Sequence, residues 1–226
     1  MPRVKTLEIT TNLAVKFNEI SLFRGGIIDS LENKDILFHN HKEDGFRYSY
    51  PLIQYKRLNG KAAIVCVGEG TEAIGEWFSS RKSEITLGQR TEMMEIESMK
   101  AFMTDVQCSD SVIYYHLSNW LPLNSNNYSL YKGTDSLLER MEILEKVLIG
   151  NIMSFLKGID YFLEEKLVAK ITKISRESVI EYKGVKMMNF YVDFKSNLWL
   201  PNHIGIGKGA SAGFGTITRL KETQNI

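Results

Sequence analysis

The sequence predicts an α+β protein of two ferredoxin-like domains in tandem, each with helices on one face of an antiparallel sheet. Three observations point there. The first ninety or so of the 226 residues read β-α-β-β-α-β, a similar order then starts again, and tight-turn dipeptides join strands in both halves. The halves are divided at 1–96 and 97–226, near Glu95–Ser98, although no linker rich in Pro, Gly or Ser marks that point.

Hydrophobic periodicity supports each element in turn. "VKTLEITTNLAV" alternates and reads as a strand. Ile20, Phe23, Ile27 and Leu31 then recur three or four apart, as on one face of a helix, with Gly25 and Gly26 placed for close packing or a bound backbone. "FRYSYPLIQYKRL" and "KAAIVCV" are two strands around Asn59-Gly60, a strong hairpin signal. Ala73, Ile74, Trp77 and Phe78 form a second helical stripe, and "SEITLG" with the segment after it supplies another strand.

In the second half, "MKAFMTDVQ" and "SVIYYHLSNWLPL" are expected to pair across a turn at Cys108–Asp110. The clearest helix follows. Ser136 and Glu139 have capping-box spacing, and Leu137, Met141, Leu144, Leu148, Ile152 and Phe155 make its apolar stripe. "KLVAKITKIS", "SVIEYKG" and "MMNFYVDF" read as strands, the last two joined around Lys183-Gly184, and "FGTITRL" is a final strand.

Composition bounds the function. At 43% hydrophobic and 24% charged, the chain is of ordinary globular type, without a signal-peptide pattern or an apolar run long enough to cross a bilayer. Two cysteines, Cys66 and Cys108, give no disulfide framework, so a reducing cytoplasm is expected, with no membrane partner. The net charge of +1 is unevenly spread: residues 157–221 hold eleven Lys and Arg against six Asp and Glu, a local +5 that leaves −4 elsewhere. A basic C-terminal half favours a polyanionic partner, although a solvated lysine-bearing sheet reads the same way.

The stretch "HIGIGKGASAGFGTI" decides more by what it fails to match. A Walker A loop needs Ser or Thr after Gly207-Lys208, where Gly209 stands, and a glycine where Asn202 stands. The dinucleotide pattern fails at Ala210, and a β-branched run follows where both motifs need a helix. The spacing that holds is Gly205-Ile206-Gly207, five residues, then Gly213-Phe214-Gly215. Such glycines let the backbone take positive φ and approach a phosphate chain, with Lys208 adding a charge and Ser211 a hydroxyl. The bland reading is a flexible hairpin tip.

This loop resembles the C-terminal glycine-rich loop of the CRISPR repeat-RNA endoribonucleases of the Cas six type, in the RAMP superfamily. It matches their G-h-G-x(5)-G-h-G pattern at every fixed position. The resemblance implies two RNA-recognition-motif-like domains in tandem, in agreement with the order read above. It also implies CRISPR repeat RNA as partner, with subunits of a CRISPR effector complex as further partners and a monomeric or homodimeric state. Gly205, Gly207, Lys208, Gly209, Ser211, Gly213, Gly215 and Arg24 are then the candidate RNA contacts.

The second motif is "ILFHNHKEDGFRYSYPLIQYK". His39 and His41 stand two apart, so in an extended segment both imidazoles point the same way. Such a pair can divide general-base and general-acid duties near neutral pH. The same family places a catalytic histidine after its first helix, and the resemblance carries that role to His39 and His41, without settling which is the base. Lys42, Tyr48 and Tyr50 are candidate helpers. The implied reaction is attack of a ribose 2′-OH on the adjacent phosphate, leaving 5′-hydroxyl and 2′,3′-cyclic phosphate ends, and it calls for no metal and no cofactor. The alternatives are a RAMP-type subunit that binds repeat RNA without cutting it, and a metal-dependent hydrolase with His39 and His41 as ligands. A third ligand would then come from Glu43, Asp44 or His116. His116 alternates within a strand and reads as structural, while His203 suits RNA contact or loop packing equally. Tyr114, Trp120, Trp199 and Phe214 are expected mainly in the core.

Overall fold

A computed structural model describes residues 3–31, 41–42, 45–46, 50–80 and 82–221. By its contacts the chain divides into two units. The first is Arg3–Thr104 together with Ala210–Gly213, and the second comprises Asp105–Gly209 and the chain from Phe214 onward.

The first unit is built on a four-stranded sheet. β1 (Arg3–Ala14) alternates buried and open residues, and a single 3-10 turn leads into α1 (Ile20–Asp29). Two short strands, β2 (His41–Lys42) and β3 (Gly45–Phe46), pair with each other. β4 (Ile53–Leu58) and β5 (Lys61–Val67) form the expected hairpin. Asn59 and Gly60 both have positive φ, 49° and 86°, as a type I′ turn requires. α2 (Gly70–Ser80) follows, and Ile74 and Trp77 of its apolar stripe are buried. Ile9, Phe23, Ile27, Ile64 and Trp77 belong to the core between the sheet and these helices.

β6 (Glu84–Leu87) and β7 (Arg90–Met93) are a separate hairpin and do not join the sheet. They explain Gly26. A Cβ there would lie 2.7 Å from the Ile85 side chain and 2.9 Å from the Thr86 carbonyl oxygen, so α1 needs glycine to pack this closely. The fourth sheet strand is β8 (Ile96–Asp105), beside β1, which gives the order β4-β5-β1-β8. In ferredoxin numbering this is 2-3-1-4.

Here the structure departs from the sequence reading. "MKAFMTD" completes the first sheet instead of opening the second, and the units meet at Thr104–Asp105 rather than near Glu95–Ser98. The turn expected at Cys108–Asp110 is absent because Cys108 already lies in the next strand. β8 carries few buried residues on either face, so its side chains gave no pattern linking it to β1.

The second unit repeats the plan. β9 (Cys108–Trp120) leads to α3 (Ser125–Gly133), whose N-terminus is capped by Asn124 accepting from the Asn127 N–H at 2.9 Å. α3 was not expected, since its polar sequence buries a single residue, Tyr131. α4 (Leu137–Gly158) is capped by Ser136 and buries Leu144, Leu148, Ile152 and Phe155. β10 (Ala169–Tyr182) is one continuous strand where two had been read; its register shifts twice, at Ile171/Lys173 and Ile174/Arg176, which broke the alternation. Lys183 and Gly184 turn it, at φ 53° and 74°, into β11 (Val185–Leu198). β12 (Thr216–Arg219) pairs with β9, and the order is β10-β11-β9-β12, again 2-3-1-4. The position of the second helix in this repeat is taken by an irregular segment, Trp199–Gly215. No helix of the described residues is long and apolar enough to cross a membrane.

Phe155→Ala is expected to cost about 3–5 kcal/mol in urea unfolding, because it empties a fully buried site. Leu137→Ala, 65% exposed on the same helix, is expected within about 0.5 kcal/mol of the parent.

Candidate functional site

The glycine-rich segment has a packed stem and a short tip. In the stem the His203 N–H donates to the Ile217 carbonyl at 2.8 Å, Ile217 N–H to Ile204 at 2.8 Å, and Ile206 N–H to Gly215 at 2.9 Å. Ile204 and Ile206 are fully buried, and Gly205 bridges to Thr216. Gly215 admits no side chain: a Cβ there would lie 1.9 Å from the Ile206 carbonyl oxygen, on a backbone at φ 60°. Its N–H donates to the Asn119 carbonyl at 2.9 Å, and Asn119 itself sits at φ 50°, a conformation that Asn tolerates better than most residues. The Gly215 donor therefore serves the fold. At the tip, Gly207-Lys208-Gly209, Lys208 is exposed between two half-buried glycines, both at positive φ.

Ala210–Gly213 is part of the first unit and runs beside the outer edge of β4. Tyr55 N–H donates to the Ser211 carbonyl at 3.0 Å, and Ala212 bridges parallel to Tyr55. The Lys56 ammonium donates to the Ala210 carbonyl at 3.0 Å. Lys56 is 0% exposed and carries no ion pair among the described residues. Burial pulls its ammonium down from 10.5 to about 7. The sequence reading missed this residue, because alternation along "IQYKRL" puts Lys56 beside Gln54 on what looks like a solvent face.

The remaining site residues are scattered over the first unit. Arg24 lies half-buried in α1, and its charge opposes the upward push of burial on the Tyr55 phenol. Tyr50 is buried and its oxygen accepts from Gln54 Nε2 at 2.8 Å. Burial holds that phenol well above its ordinary range, so it stays protonated at neutral pH. His41 and Lys42 lie in β2, their backbones opposite Phe46 and Gly45. His39, Tyr48, Glu43 and Asp44 lie outside the described residues.

In the second unit His116 Nδ1 lies 2.6 Å from Asp193 Oδ1, on the sheet face opposite buried Tyr115 and Leu117. Trp120 and Phe214 are buried as expected, whereas Tyr114 is 41% exposed and Trp199 is half-buried under the Arg219 guanidinium.

Comparison with known proteins bears on this arrangement directly. Residues 2–105 match the Cas6b N-terminal domain and residues 107–220 match the Cas6b C-terminal domain. The chain belongs to the Cas6b family. A crystal structure of a Cas6b is similar over 97% of this chain and 100% of its own, with a TM-score of 0.88 and 28% identity. A second, described as a CRISPR RNA processing endoribonuclease Cas6b, covers the same shares with a TM-score of 0.75 and 26% identity. An uncharacterized protein of Methanocaldococcus jannaschii is 42% identical over 109 residues, 48% of this chain and 73% of that protein. Both halves of the Cas6b assignment fall on the two sheets described above, with the glycine-rich loop in the C-terminal match and the His-x-His segment in the N-terminal one.

Lys56 gives this Cas6b chain a measurable titration. Its folded value lies below the unfolded one, so the unfolded chain binds the extra proton above about pH 7, and stability rises with pH. Between about pH 7 and about pH 9 the gain over Lys56→Met is expected to be about 2 kcal/mol, read from urea melts of both proteins. Gly215→Ala is expected to lower the urea midpoint far more than Gly25→Ala, where a Cβ meets nothing within 4 Å.

Proposed function

We propose that this Cas6b chain cuts CRISPR repeat RNA within its repeats. The observation that carries this reading is the match of both Cas6b domains, joined to a loop that keeps every fixed glycine of the G-h-G-x(5)-G-h-G pattern. The solved Cas6b at 26% identity, described as a CRISPR RNA processing endoribonuclease, supports the activity. In this reading the N-terminal domain carries His39 and His41, and the C-terminal domain ends in the loop that holds RNA.

The chemistry proposed for the pair is proton transfer. One imidazole removes the proton from a ribose 2′-OH, and that oxygen attacks the adjacent phosphorus in line. The bond from phosphorus to the 5′-oxygen breaks, and the other imidazolium protonates the departing oxygen. The products are a 2′,3′-cyclic phosphate and a 5′-hydroxyl, and the balance needs no metal. A cation near the phosphate stabilises the charge that builds on its oxygens, with Arg24, Lys42 and Lys208 as the candidates. Tyr50, held protonated by burial, cannot act as the base in this scheme.

The loop tip is the proposed grip. Lys208 extends exposed from a tip whose positive-φ glycines would turn main-chain N–H groups toward a passing phosphate chain. The stem's own donors, Ile206 and Gly215, are engaged inside the fold.

The test uses cognate repeat RNA in EDTA, beside the same RNA with a 2′-deoxy nucleotide at the scissile position. Cutting of the first and not the second is expected. Binding without cutting marks a non-catalytic RAMP-type subunit, and activity that returns only with zinc or manganese marks a metal-dependent hydrolase. His39→Ala and His41→Ala are each expected to slow cutting by about a hundredfold or more while leaving affinity within a few-fold. Lys208→Ala is expected to weaken RNA binding several-fold and to flatten the log–log salt dependence by about 0.7, one phosphate contact's worth on a single strand.

A further inference from the structure

We infer that Lys56 is a positioning residue for RNA binding, latching the Ala210 carbonyl of the glycine-rich loop to β4 so that the tip keeps one placement. This rests on the reading above that the loop tip contacts repeat RNA.

Three observations carry it. Lys56 is entirely buried, yet its recorded partner is a main-chain carbonyl 154 residues away rather than a carboxylate. No carboxylate among the described residues pairs this buried ammonium, and methionine would fill the space at lower cost, so the side chain points to a role beyond packing. The bond is also placed to matter. Ala210 follows the tip directly, and Tyr55 N–H holds the next carbonyl, that of Ser211, at 3.0 Å. Adjacent residues of β4 thus bind adjacent carbonyls of the loop, and Ala212 completes a strand-like run along the edge of the sheet.

The two bonds differ in kind. Tyr55 contributes a main-chain donor that any residue at position 55 would supply. Lys56 contributes a long side-chain donor, the one of the two bonds that substitution can remove. At the tip only Lys208 is exposed, and the Phe214 N–H donates to the Gly209 carbonyl at 3.2 Å, so the placement of Lys208 depends on what fixes the residues on either side. On one side stands the packed stem of Ile206 and Gly215, and on the other stands Lys56. Order supplied in advance lowers the entropy lost when RNA binds, which is the route by which a residue remote from the ligand sets affinity.

Lys56→Met and Lys56→Gln test the inference by two measurements on the full chain. The first needs no RNA. Hydrogen exchange of the Tyr55 amide and of the amides of residues 209–213 is expected to quicken about tenfold in Lys56→Met, while exchange within β5 is unchanged. The second is repeat-RNA affinity and single-turnover cutting at saturating enzyme. Lys56→Met is expected to raise Kd about tenfold and to leave the saturated rate within about twofold. Lys56→Gln, which keeps a donor, is expected between Met and the parent in both measurements. Unchanged exchange in Lys56→Met overturns the latch itself. Faster exchange with parental affinity overturns the reading of the loop as an RNA grip, and the inference falls with it. Parental affinity with a collapsed saturated rate overturns the positioning role in favour of a direct part in the chemistry.

Discussion

The closure of the loop stem depends on the absence of one carbon atom. At Gly215 a side chain would overlap the Ile206 carbonyl oxygen at 1.9 Å, and the same residue donates its N–H to Asn119. That close approach lets His203–Ile206 run back along the last strand as a stem. The stem in turn stands where a ferredoxin repeat would place its second helix. A helix would satisfy its own backbone and present side chains outward. The stem-and-tip alternative satisfies its backbone within the stem and exposes Lys208 at the turn between its two arms. The glycine pattern thus serves the fold along its length: a Cβ would lie 1.9 Å from the Ile206 carbonyl oxygen at Gly215 and 2.5 Å from Asn151 Oδ1 at Gly207.

Sequence periodicity reached the sheets because most strands bury one face against helices. β1 alternates over much of its length, β5 is a continuous apolar run buried on both faces, and the two turns at Asn59-Gly60 and Lys183-Gly184 are legible from their residue types alone. The failures have local causes. β8 is open along nearly its whole length, so nothing in its side chains tied it to β1, and the divide between the units was placed too early. β10 looked like two strands because its bulges shift the alternation by one residue at each step. α3 is polar with one buried tyrosine, and without a stripe there is no period to find.

The candidate site was legible where it is a motif and illegible where it is a contact. The glycine spacing and the His-x-His pair are visible in the letters. Lys56 is not, because its environment is made by residues more than 150 positions away and a lysine in an alternating strand reads as solvent-facing. Tyr50 shows the converse. It is close in sequence to the His pair and was an apparent helper, but burial holds its proton in place and narrows the chemistry open to it.

The basic excess of the C-terminal half also changes meaning once its members are placed. Lys170 is held by Glu145 at 2.6 Å, and the same carboxylate accepts from the Ile171 N–H, so that lysine ties β10 to α4. Arg219 lies over Trp199, Arg176 over Tyr191 and Lys183 over Tyr182, each 5.0–5.7 Å from the ring centroid. These cations are committed to rings or carboxylates of the fold and can lend at most part of their charge to a polyanion. Lys208 differs in where it stands. It sits exposed at the turn of the loop, flanked by two half-buried glycines at positive φ. In the proposed reading a local charge of +5 overstates the attraction for RNA, and one exposed lysine at the tip states it better. A single charge acts most effectively from a fixed place, and in the proposed reading the anchoring of the loop on β4 would therefore bear more on affinity than the count of basic residues does.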